Sequence, residues 1–503
     1  MPISSLLTRR QAQRWAVWAA VALALAVRLW GLDKESFWFD EAYSVALARY
    51  PVRLSSLVEL VGPVYTLFLH GWLYLGDTDW LVRLPSALFG TATVYVIYRL
   101  GEALWDAEVG LLAAFFLALS PLHVWYSQEA RMYALATLLA AIGTWLFWRS
   151  LQEGRSRYLP GYVLAMVLAL YTHALTVFIV VYHNLCVGVC CLRRRGQGPV
   201  NTVGRRCPLS AGLRDWALAQ LALGLLAIPW LYGLISQQAK GYWGWIDVQY
   251  GPATLRSIVE VLAAFVYGGR TGWPAPVVWG LVLLAILLLL AGSRRGDKPG
   301  FVRLEPRAFA VDPSWVFAAG LLAVPLGITF VLSQFRNMFV PRYMVPILVG
   351  YVLLLARGVR ALPLRWARLA ALAVVLLIST WGVVEAYERQ EKEDWRGAGQ
   401  IVAALEQPGD YIFLMDGDIL TPFRRYYHGP APLREVWRYR TEVDQLQALV
   451  DEALAEGRPR LWLVLSHTRN LGLKEVMAKD PRLRLGYEVA LRDVSIVRFD
   501  RVK

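Results

Sequence analysis

Long apolar runs separated by short polar stretches fill the first 390 positions of the chain. They recur at about residues 15–32, 82–100, 109–125, 130–148, 158–172, 174–192, 216–235, 275–292, 314–332, 343–359 and 366–384. Each run predicts a membrane helix, because a bilayer core takes about 20 apolar residues in helical form. About eleven spans result, an odd number, so the two chain ends are expected on opposite sides. The run from Val64 to Leu75 is shorter and contains His70, and is read as a helix lying at the interface. A second interfacial helix is expected over Ala253–Tyr267, where Arg256 and Glu260 are one helical turn apart. After Tyr387 the pattern changes. A charged stretch, Glu-Arg-Gln-Glu-Lys-Glu-Asp at 388–394, reads as a linker to a soluble domain. In that domain residues 411–415, 461–465, 487–491 and 495–499 predict strands, and residues 396–405 and 442–456 predict helices. The predicted organisation is an all-α polytopic membrane bundle over residues 1–390 and a small α/β domain over residues 391–503.

Composition agrees with a membrane protein, since 57% of the 503 residues are hydrophobic and 22 are Trp. A net charge of +14 raises nucleic acid as a partner. The arginines instead fall in short clusters between apolar runs, with no nucleic-acid-binding motif, so that class is set aside. Charge also fixes the expected topology. With residues 64–75 at the interface, the Arg-rich stretches at 149–157, 193–214, 294–307 and 357–368 all face the cytoplasm. Arg9, Arg10 and Arg14 precede a first run long enough to span, and Asp33, Lys34 and Glu35 follow where a cleavage site would need small residues. The expectation is a multi-pass protein of the plasma membrane, with a retained first helix, a cytoplasmic N-terminus and an extracytoplasmic C-terminal domain. Cys186, Cys190, Cys191 and Cys207 have neither disulfide-framework nor zinc-site spacing.

Four polar clusters fall on the predicted outer side. Phe-Trp-Phe-Asp-Glu-Ala-Tyr-Ser-Val, residues 37–45, sets Asp40 and Glu41 among aromatics, including Tyr43. A solvated helix end would also account for this pair. Residues 120–133 hold Gln128, Glu129 and Arg131, which either line a cavity or belong to a solvated turn. His173 ends Tyr171-Thr172-His173, and a structural histidine bridging two helices is the competing reading. Arg342 and Tyr343 begin the tenth span, and the planar fork of Arg342 suits a phosphate. Arg83, Lys240 and Arg270 are further cations on this side. Asp416-Gly417-Asp418 has the look of a metal-binding acidic motif but is read as a turn and a helix N-cap.

Taken together, Phe-Asp-Glu-Ala-Tyr at 39–43, Arg-Leu-Pro-Ser-Ala-Leu-Phe-Gly at 83–90, Tyr-Ser-Gln-Glu-Ala-Arg-Met-Tyr-Ala at 126–134, Tyr-Thr-His at 171–173 and Arg-Tyr at 342–343 carry a resemblance. The chain resembles the polytopic GT-C glycosyltransferases of family 39 type, which include protein O-mannosyltransferases and lipid A aminoarabinose transferases. That resemblance implies transfer of a sugar from a polyprenyl phosphate to a lipid, glycan or protein acceptor, outside the cytoplasm and with inversion. It departs from the family's frequent His-Pro-Pro before the interfacial helix, where this chain has Val-Gly-Pro at 61–63. Direct displacement needs a base for the acceptor hydroxyl, a role assigned to Asp40, and positive charge for the leaving phosphate. Arg131 and Arg342 are the first candidates for that charge, with Arg83 and Arg270 behind them. Glu41 and Glu129 would orient the acceptor or the cations, and Tyr43, Gln128, His173 and Tyr343 would line the pocket. The carboxylates are of a kind that can hold a divalent metal, but the resemblance implies that none is required. A transporter or flippase of lipid-linked sugars is the alternative. It would be expected to place charges at the bilayer midplane and to show inverted repeats, and the sequence has neither.

Overall fold

The computed structural model describes residues 3–50, 62–195, 212–239, 252–269, 275–293, 311–389, 391–415, 419–436, 443–466 and 472–502. The chain forms two compact units. One comprises Met1–Leu32, Pro51–Gly76 and Leu81–Glu388, and the other Asp33–Tyr50, Asp77–Trp80 and Arg389–Lys503.

In the first unit every predicted span is helical. Among the described residues, eight helices are long and apolar enough to cross a membrane: Gln11–Leu29, Asp79–Leu104, Tyr133–Glu153, Ala174–Leu192, Leu213–Ser236, Pro313–Leu332, Pro341–Ala361 and Arg365–Arg389. A ninth crossing results if Ala107–Ala118 and Pro121–Ser127, which meet at a 60° bend, are one broken span. The remaining two, Leu159–Thr172 with 14 residues and Ala275–Ala291 with 17, are shorter. The protein is a multi-pass membrane protein. Its outer helix faces suit lipid: Leu221, Leu225 and Ile228, spaced on one side of their helix, are all more than half exposed.

The bend has a local cause. Pro121 has no backbone N–H to continue the ladder and restricts Ser120 to an extended conformation, so one helix stops and another starts with proline at its first position. The segment read as interfacial is the ten-residue helix Pro63–Trp72, extended by a 3-10 turn at Leu73–Leu75. Its N-cap Gly62 is left-handed at φ +66, and a Cβ there would lie 3.0 Å from the Thr172 carbonyl. Glycine is therefore the fitting residue before Pro63. The helix Leu255–Tyr267 occupies the second interfacial segment, with Arg256 Nε donating to Glu260 Oε1 at 3.0 Å.

The second unit is built on a five-stranded sheet of order β2-β1-β3-β5-β4. Its strands are β1 (Tyr411–Met415), β2 (Leu433–Val436), β3 (Arg460–Ser466), β4 (Leu483–Ala490) and β5 (Val494–Arg501). β1 runs parallel to β2 and β3, whereas β5 is antiparallel to β3 and β4. Period-2 alternation divides its side chains between two cores. Phe413, Leu463 and Val497 pack with Val450 and Met477 of the helices Val443–Ala455 and Gly472–Lys479. Ile412, Leu414 and Trp462 pack with Trp395 and Phe423 of the helices Trp395–Leu405 and Leu420–Tyr426. The helix Phe39–Arg49 from the first predicted loop packs on Leu420–Tyr426. Within the charged stretch before Trp395, read above as a linker, Glu388 and Arg389 are exposed, but Lys392 and Glu393 are buried at 8% and 4% exposure. Asp416 and Asp418 lie outside the described residues.

Candidate active site

In the first unit the structure gathers four of the predicted residues. His173, which caps the helix Leu159–Thr172, lies 5.7 Å from the ring of Tyr133 and 5.4 Å from that of Tyr343. The Arg131 guanidinium stands 6.0 Å from the Tyr133 ring centre and that of Arg342 5.5 Å from the Tyr343 ring centre. Tyr133 and His173 are buried, as is Glu129. Burial first, and then the charges of Arg131 and Arg342, bring the His173 imidazole down to about 4, so it is neutral at pH 7. A neutral ring between two tyrosines, flanked by two guanidiniums, makes an aromatic wall with concentrated positive charge. That combination can stack against a sugar face and hold a phosphate.

Other predicted residues in this unit have anchoring contacts. Gln128 Nε2 donates to the carbonyls of Arg28 at 3.1 Å and Trp30 at 2.8 Å, capping the end of the first helix. Arg83 is buried and its Nη1 donates to the Leu32 carbonyl at 2.9 Å. Arg270 and Lys240 lie outside the described residues.

The acidic pair belongs to the second unit. Asp40 and Glu41 occupy the first turn of the helix Phe39–Arg49, where the macrodipole favours carboxylates. Asp40 is half-buried, and its carbonyl accepts from Ser44 Oγ at 2.9 Å. Glu41 is fully buried and pairs with Lys392, whose Nζ is 3.0 Å from Glu41 Oε2. Glu393 Oε2 accepts from the Phe39 backbone N–H at 3.2 Å and from Trp395 Nε1 at 2.6 Å. Further along, Asp79 accepts from Arg396, Arg425 and the Tyr426 hydroxyl, and Tyr426 in turn accepts from the Phe37 N–H at 2.8 Å. Tyr43 stacks on Phe39 at 5.9 Å and is 38% exposed, leaving part of its ring available to a ligand. Sequence reasoning missed Lys392. In an acidic run it reads as one solvated charge among several, and its partner is 351 positions away.

Residues 61–187 match the family model of dolichyl-phosphate-mannose-protein mannosyltransferase. Putative mannosyltransferase YkcB of Bacillus subtilis (strain 168) is 28% identical over 83 residues, which are 16% of this chain and 12% of that protein, so the matched part is a small share of the relative. Among solved structures, ArnT from Cupriavidus metallidurans in the apo state superposes with a TM-score of 0.60 at 15% identity, over 97% of this chain and 98% of that one. The same protein bound to undecaprenyl phosphate gives 0.58 over the same shares, again at 15% identity. The apo oligosaccharyltransferase of Archaeoglobus fulgidus gives 0.51 at 10% identity, over 90% of this chain and 69% of that one. At such identities the likeness is one of fold, and the chain has the GT-C fold that its motifs led us to expect.

Proposed function

We propose that the protein is an integral-membrane glycosyltransferase that moves a sugar from a polyprenyl phosphate to an acceptor hydroxyl on the outer side of the plasma membrane, inverting the anomeric centre. The observation that carries this reading is the pair Arg131 and Arg342 around the neutral His173 and its two tyrosines. A leaving phosphate is a stable anion, so it needs cations rather than a general acid, and two guanidiniums supply them. Asp40 acts as the base. It removes the acceptor proton as that oxygen attacks the anomeric carbon, and the electron pair of the breaking carbon–oxygen bond leaves with the polyprenyl phosphate. Glu129 holds the guanidiniums in orientation, and Tyr343 and Tyr133 face the sugar. No divalent metal is needed for this chemistry, because the arginines neutralise the phosphate.

The N-terminus lies in the cytoplasm and the C-terminal sheet outside it, as the arginine clusters require. The acceptor is a lipid, glycan or protein hydroxyl. Purified protein incubated with a panel of polyprenyl-phosphate sugars tests the reading: release of free polyprenyl phosphate with at least one donor, unaffected by a chelator, is expected. A chain that releases none from any donor is not such a transferase.

A further inference from the structure

Arg28, one residue before the end of the helix Ile3–Leu29, is completely buried. A guanidinium taken out of water at such depth is costly unless its charge is matched. Here the match is made by carbonyls and an imidazole. Nη1 donates to the Ala24 carbonyl of its own helix at 3.0 Å and to the Ala118 carbonyl at 3.1 Å. Nη2 donates to the Leu117 carbonyl at 3.2 Å and to His123 Nδ1 at 2.7 Å.

Leu117 and Ala118 form the last turn of Ala107–Ala118, the negative end of that helix. His123 belongs to Pro121–Ser127, on the far side of the 60° bend. The planar fork thus spans the break and caps the helix that ends there. Because His123 Nδ1 accepts, the ring proton sits on Nε2 and the imidazole is neutral. The favour is returned one turn later, where Gln128 donates to the Arg28 and Trp30 carbonyls and caps the first helix. Each helix end is closed by a side chain from the other.

Room for this arrangement comes from Gly90. A Cβ there would lie 2.9 Å from Arg28 Nε and would overlap Ser127 Oγ. Arg28 therefore gives a reason for Gly90 and Ser127, two positions in the stretches 83–90 and 126–134 to which the transfer chemistry assigns no role, and gives Gln128, read above as a pocket residue, a structural contact as well. Gln128 is followed directly by Glu129 and, two residues on, by Arg131.

We propose that Arg28 is a positioning residue. It locks the broken helix so that the turn beyond Ser127 delivers Glu129 and Arg131 in their working orientation. The kinetic consequence rests on the transferase reading; the structural consequence does not.

Three variants test it: Arg28→Met, Arg28→Lys and Gly90→Ala. In Arg28→Met, backbone hydrogen exchange should rise over residues 119–133 while other helices of the first unit keep wild-type protection. Affinity for polyprenyl phosphate should fall about 10- to 100-fold, as a misplaced contact group would cause. Millimolar guanidinium ion should restore at least half of the lost affinity. Arg28→Lys, a point charge in place of a fork, should fall between wild type and Arg28→Met, and Gly90→Ala should reproduce the defect with Arg28 still present.

Wild-type exchange over residues 119–133 in Arg28→Met would overturn the proposal. So would deprotection of the whole first unit in all three variants, which would make Arg28 a general stabiliser. If wild-type protein neither binds polyprenyl phosphate nor releases it from any donor, the transferase reading fails, and the exchange measurement alone judges Arg28.

Discussion

Glu41 and Lys392, 351 positions apart in the chain, form a buried ion pair at 3.0 Å, with side chains 0% and 8% exposed. Removing either partner breaks a charge pair in a place that water barely reaches. Glu41→Gln and Lys392→Met should each cost about 3–5 kcal/mol of stability, and the double variant should recover much of that loss. Thermal unfolding of the purified protein measures it. Single variants that melt like wild type would mean that the pair is solvated and contributes nothing.

Asp40→Asn retains size and hydrogen bonding but removes basicity. Its single-turnover rate should fall by roughly 10² or more, with donor affinity nearly unchanged. Arg342→Ala should weaken donor binding by about 1.5–3 kcal/mol, the loss of a charge-assisted contact. Wild-type turnover in Asp40→Asn would move the role of base to Glu129.

His173 should give the protein a sensitivity to acid. Its folded-state value of about 4 lies below the ordinary 6.5, so in that window the unfolded chain binds more protons than the folded one. The stability contributed by the neutral ring is present above pH 6.5 and is lost as pH falls towards 4. The melting temperature of wild type should therefore drop across this range more steeply than that of His173→Gln. Parallel curves would show that another group is responsible.

Orientation is open to direct labelling. In a background with Cys186, Cys190, Cys191 and Cys207 replaced by Ser, Tyr50→Cys should react from outside intact cells with a membrane-impermeant thiol reagent. Arg155→Cys should react only after permeabilisation. Both positions are well exposed, with Tyr50 at 68% and the Arg155 side chain at 57%. The reverse pattern would invert the topology and remove the basis for an external reaction.

The membrane helices were legible because each is specified by a continuous local run, and the limits of β1, residues 411–415, were read directly from such a run. β2, with sequence Leu-Arg-Glu-Val at the sheet edge, was not legible, since two of its four residues are charged and its pattern does not differ from a loop. The short helices Leu420–Tyr426 and Gly472–Lys479 were likewise too brief to show a period. At the candidate site the sequence names candidate residues but carries no record of their environment. Residues 126–131 read as an outer turn, yet Ser127 and Glu129 are 0% and 2% exposed, because neighbouring helices close over them. The role of Lys392 depends on a partner far away in sequence, and a charge run carries no record of which member is buried.

The composition of the second unit has a consequence for how the protein is made. Residues 33–50 leave the ribosome early, but the helix Trp395–Leu405 and the strands they share a unit with come last. At ordinary rates of synthesis this separation is on the order of 20–70 s. Until then the helix bearing Asp40 and Glu41 lacks Lys392, Glu393 and Tyr426, which hold it. A chain ending before residue 392 would carry the helix of Asp40 and Glu41 without these contacts, so the fold of this early segment is completed only by the last quarter of the sequence.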